Sequence, residues 1–197
     1  MLIYDAIKND HRKIQPLVEE LKQAGEKNEK RRACLLLEEI RDELVPHSRA
    51  EEIVFYGPLC SVESQNPAFC HGYQEHIDLE STLQDALARA SKEGIDLTWQ
   101  RTVDRFAKAL LHHVTEEETA AFQAARETFS EAEARTMAEV FEALKPNVAK
   151  EGWKKSALDI VTKMMPAKYA ATVRNLTATS ITTNTGSQTS HHKTQSH

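Results

Sequence analysis

Apolar residues recur every three to four positions along most of this chain, which is the helical period. Ile3, Ile7, Ile14, Val18 and Leu21 form one stripe, predicting a helix from about residue 2 to Ala24 that stops at Gly25. Leu36, Ile40, Leu44 and Val54 form a second, from about Glu29 to Phe55 or Tyr56, ended by Gly57-Pro58. Pro16 and Pro46 predict a kink in each. After a loop over 57–66, Asn66-Pro67 reads as cap and first position of a third helix, which stops at Gly94. Its row is Phe69, Tyr73, Leu79, Leu83, Leu87 and Ala90. Asp96 caps a fourth helix reaching about Arg126, with Val103, Phe106, Leu110 and Ala121 on its stripe. Ser130 and Glu133 make a capping box for a fifth, ending near Leu144 before Pro146. Short helices broken at Pro166 fill 153–176, and the polar run 177–197 has too little to bury to fold.

Four long helices with short links predict an all-α, up-down-up-down four-helix bundle over residues 1–128. Residues 129–176 form a helical extension packing on it, and 177–197 a disordered tail.

Each of the four stripes is broken by polar residues. His11 falls between Ile7 and Ile14, and His76 between Tyr73 and Leu79. His47 and Glu51 continue the second row, and His113 and Glu117 the fourth. The alternative register of the fourth helix, through Arg101, Arg105, Lys108, His112 and Glu116, is charged, so His112 faces outward. His47 to Glu51 and His113 to Glu117 are the same His-x-x-x-Glu spacing, which stacks an imidazole and a carboxylate one turn apart on one face. Counted from the shared end of an up-down bundle, all six residues fall within roughly two turns of one height. Two carboxylates in a dry core cost several kcal/mol unless paired or metal-bound, roughly. Nothing in the sequence supplies buried Lys or Arg partners at those heights. Mixed imidazole and carboxylate donors suit iron, manganese or zinc, and six donors, two able to bridge, suit two ions.

The remaining properties narrow the class. A net charge of -5 gives no electrostatic footprint for nucleic acid. No apolar run is long enough for a membrane, and the N-terminus lacks the basic start and apolar middle of a signal peptide. Three Cys (Cys34, Cys60, Cys70), without metal-type spacing, predict a reduced, cytoplasmic chain.

The set Asp10-His11, His47 to Glu51, Glu75-His76 and His113 to Glu117 resembles the hemerythrin-like, or HHE cation-binding, family, over about residues 1–126. The resemblance implies a four-helix bundle around two non-haem, oxygen-bridged iron ions, with Glu51 and Glu117 bridging and two His on each iron. The family's oxygen carriers have a further His four residues before the third-helix ligand, where this chain has Gly72. His71, about 140° round the helix from His76, is the nearest substitute. A site lacking that ligand points away from reversible O2 carriage. It favours binding or reaction with O2, peroxide or NO in oxidative or nitrosative stress, or iron handling. Two alternatives stay open: an iron- or oxygen-sensing module signalling through its C-terminal helices to a partner or a second copy, and a metal-free structural bundle. Tyr4, Tyr56 and Tyr73 are the aromatic groups expected nearest the site.

Overall fold

A computed structural model describes residues 1–62, 71–92, 94–148, 160, 161, 163–166 and 169. Helix α1 spans Ile3–Glu26 and α2 Lys30–Glu51. A wide, π-helical turn at Glu52–Tyr56 joins α2 to α3, Gly57–Val62. Helices α4 (His71–Lys92) and α5 (Leu97–Glu116) follow. A second wide turn, Glu117–Ala121, leads into α6 (Phe122–Thr128), and α7 covers Glu131–Val148. No strand occurs among the described residues.

Helix α1 packs on α2, α2 on α4, α4 on α5, and α5 back on α1, closing the expected four-membered ring. Outside that ring, α7 lies against α1 and α2. The polar residues on the four stripes divide the core in two. One apolar cluster is built on Ile14, Leu36, Leu44, Leu83, Trp99 and Phe106. The other joins Ile3, Ile7, Val54, Phe55 and Phe122 to Met137, Phe141 and Leu144 of α7.

Several boundaries were legible and several were not. The Asp96 side chain accepts from the Trp99 N–H (2.8 Å), and the Ser130 and Glu133 side chains bond reciprocally to each other's backbone N–H. Gly94 adopts the left-handed φ of 95° that stops α4. Gly25 is not the stop of α1: the helix runs on to Glu26, and Asn28 takes the left-handed position at φ 57°. Gly25 is instead covered by the Trp99 ring, which a side chain there would meet. Gly57-Pro58 does not end the second helix either, and 57–62 is helical rather than loop. The wide turn shifts hydrogen bonding to the fifth residue back, as in Gly57 N–H to the Glu52 carbonyl. That opens the backbone where the Pro58 ring would meet the preceding turn. Helices α1, α2 and α7 likewise continue through Pro16, Pro46 and Pro146. The expected start at Asn66-Pro67, Cys70, most of 153–176 and the tail lie outside the described residues.

Candidate metal centre

His11 is carried by α1, His47 and Glu51 by α2, His76 by α4, and His113 and Glu117 by α5 and the turn after it. All six are at most 2% exposed. They fall into two triads: His11, His47 and Glu117, and Glu51, His76 and His113. Within each triad one donor atom per residue lies within 4.8 Å of the others.

The two Glu tie the triads together. The Glu51 Oε2 is 3.2 Å from Nε2 of His47 and 3.4 Å from Nε2 of His76. The Glu117 Oε2 is 3.2 Å from Nε2 of His11 and 3.7 Å from Nε2 of His113. Each carboxylate thus stands between one imidazole of each triad. His76 and His113 point their Nε2 atoms at one another, 3.2 Å apart.

The outer face of every imidazole meets an acid from another element. Nδ1 of His11 lies 2.9 Å from Glu118, of His47 3.5 Å from Asp10, of His76 3.2 Å from Glu52, and of His113 2.9 Å from Glu75. A carboxylate on Nδ1 favours the proton there and leaves the Nε2 lone pair aimed inward, the arrangement of metal-binding histidines. Three of these acids are held in turn by cations. Lys8 pairs with Glu118, Lys13 and Lys145 with Asp10, and Arg49 with Glu52. These four acids were not among the sequence-derived candidates. Their signal was adjacency: Asp10 and Glu75 precede His11 and His76, and Glu52 and Glu118 follow Glu51 and Glu117. Both wide turns start at this layer, and their carboxylates Glu52 and Glu117 both reach it.

The electrostatics are those of a crowded, charged layer. Burial pulls the His47 imidazole down, but the carboxylates of Asp10 and Glu51 beside it outweigh that and hold it at about 9. Burial opposes ionisation of Glu51, yet His47 and His76 keep it far below the usual carboxylate range. His76 is raised, since Glu51 and Glu52 outweigh its burial. His11 and His113 are lowered, chiefly by burial, with the neighbouring His47 and His76 adding to it. Both oxygens of Glu51, both of Glu117, the His11 Nε2 and, on the outer side, the His47 Nδ1 have no well-formed hydrogen bond despite full burial. Such atoms are costly unless something else satisfies them. Donor type, burial, shared carboxylates and orphaned inward atoms all fit cations held at the two triads.

Of the other candidates, His112 is exposed, as its charged register required, and pairs loosely with Glu116 at 3.5 Å. His71 is exposed on the first turn of α4 and belongs to neither triad. The space at Gly72 is filled by the ring of Tyr56, which a Cβ there would strike. That ring also lies edge-on to His76, centroids 5.9 Å apart. Burial, with Glu51 and Glu75 nearby, pushes the Tyr56 phenol well above its usual range. Tyr73 is one step out, its hydroxyl donating to the Glu52 carbonyl (2.9 Å). Tyr4 packs with Phe55 and Phe122 in the apolar cluster instead.

Compared with known proteins, residues 2–125 match the model of the hemerythrin HHE cation binding domain. The chain belongs to the hemerythrin HHE family. No curated protein and no solved structure matches it. The HHE match covers all six residues of the triads and ends before α7 begins. Among the described residues of this HHE protein, no helix is long and apolar enough to cross a membrane.

Proposed function

We propose that this HHE protein is a non-haem di-iron protein that binds or reacts with O2, peroxide or NO, in oxidative or nitrosative stress or in iron handling. The observation that carries the reading is the pair of straddling carboxylates. Glu51 and Glu117 each stand between an imidazole of one triad and an imidazole of the other. His11 and His47 would hold one ion and His76 and His113 the other, with both carboxylates shared. Iron there would supply redox equivalents and open positions for a small oxidant or NO.

The protein's own part is to orient and to exclude. The acids on Nδ1 orient the rings, through hydrogen bonds at His11, His76 and His113 and a longer ion pair at His47, so the Nε2 atoms need little rearrangement. The flanking apolar clusters keep water from the layer. The Tyr56 ring closes the side that Gly72 leaves bare, and its protonated phenol is kept as a donor beside the second triad.

Elemental analysis of untagged protein purified without added metal tests this. About two irons per chain are expected, both lost in Glu117→Ala and one of them in His47→Ala. Wild type without stoichiometric metal, with both variants still folded, would leave a structural bundle. Single-turnover mixing of the iron-loaded protein with peroxide or NO then separates a reactive centre from a sensing one.

A further inference from the structure

All four imidazoles take their outer acids from within the four-helix ring or its wide turns, but the acid on His47 is also held from outside the ring. That acid, Asp10, is buried and shares Oδ2 between His47 Nδ1 at 3.5 Å and the Lys145 Nζ at 2.7 Å. Lys145 is on α7, outside the ring and beyond the HHE match. Four residues earlier, on the same face of α7, Phe141 sets its ring edge-on to His47, with centroids 5.8 Å apart. Lys145 lies over that same Phe141 ring, 4.7 Å from its centroid. Two consecutive turns of α7 therefore bear on one imidazole, one through its ring edge and one through its acid.

We infer that Lys145 is a positioning residue for the first triad. By clamping Asp10 it sets the His47 ring, and α7 thereby becomes a working part of the cation site rather than a cover. This rests on the reading of the triads as metal sites.

The competing cation at Asp10 is Lys13, at 2.8 Å on Oδ1. Its side chain is 56% exposed, against 15% for Lys145, so Lys145 is the better-fixed of the two. The Asp10–His47 separation, 3.5 Å, is the longest of the four, the other three imidazoles having acids at 2.9–3.2 Å. Helix α7 is itself firmly seated by Met137, Val140, Phe141 and Leu144, all fully buried, so the clamp is a fixed one. Any coupling is reciprocal: if α7 tightens the cation, the cation tightens α7 by the same factor.

The test uses the full chain, with Co2+ as the probe metal and 15N-histidine resonances of the metal-free protein as a second readout. Lys145→Met should weaken one of the two Co2+ steps by about tenfold, the low end for outer-sphere partners of a metal ligand. It should shift the His47 ring signal and leave the His76 and His113 signals in place, and Lys145→Arg should restore both. Two unchanged Co2+ steps in Lys145→Met would overturn the inference alone. Equal weakening of both steps, with a general loss of thermal stability, would make Lys145 merely structural and overturn it too. A wild-type chain that takes up no Co2+ would overturn the functional reading and this inference with it.

Discussion

The first triad, His11, His47 and Glu117, and the second, Glu51, His76 and His113, have the same donors and different surroundings. The first lies beside α7, with Phe141 against His47 and a buried Asp10 clamped from two sides. The second lies beside Tyr56, seated on Gly72, and its acids Glu52 and Glu75 are partly open to solvent, as is Glu118 on His11 of the first. Its two imidazoles also approach more closely, with ring centroids 4.7 Å apart against 5.1 Å in the first. Matching donor sets are thus given different access and different fields by what packs on them. The first is walled by a helix from outside the bundle, the second by a ring supplied from within it.

The largest effect separates shared from private donors. Glu51→Ala should empty both triads, a loss of more than about 100-fold in affinity, whereas His76→Ala should leave one ion per chain by elemental analysis. Equal losses would mean that the triads are not two sites bridged by carboxylates. Next come the outer acids. Glu75→Gln should weaken the second triad alone by roughly 10- to 100-fold, read in a metal titration, because the acceptor on Nδ1 of His113 loses its charge. A matching loss in the first triad would show that the outer shells are not independent.

Gly72→Ala acts through packing. The new Cβ meets the Tyr56 ring, and the overpacking should cost about 1–3 kcal/mol in denaturant unfolding. The His76 environment should change while that of His47 stays the same. The smallest effect is expected with pH, in the metal-free chain. A His held up at about 9 contributes stability that is fully present below its ordinary value near 6.5 and is lost as pH rises to about 9. Glu51, held low, contributes throughout that window and loses its part only as pH falls below the ordinary carboxylate range. Melting temperature should therefore drop between pH ~6.5 and ~9 in wild type. The drop should shrink in Asp10→Asn, which removes one of the two partners holding His47 up.

The inner layer was readable because helical periodicity is a local property. His11 between Ile7 and Ile14, or His113 in register with Phe106 and Leu110, must face the way its apolar neighbours face. The same rule sent His112 outward. The outer layer was hidden by that rule. Glu52, Glu75, Glu118 and Asp10 sit one position off the stripes, where periodicity assigns solvent. Each reaches an imidazole on a different element, which only the packing of helices brings near. The wide turns left no signal, because the same residues fit α and π backbones, and Gly57-Pro58 looked like a stop for that reason.

By itself, then, the sequence determined four amphipathic helices and six polar residues in one core layer. Those follow from spacing along a single chain direction. Only the tertiary structure decided which donors share a triad and that each carboxylate stands between the two. It also decided that Tyr56 takes the room beside Gly72, and that Lys145 reaches Asp10 across 135 residues of chain. Those are contacts between surfaces of separate elements, set by how helices pack and turn, and no local period encodes them.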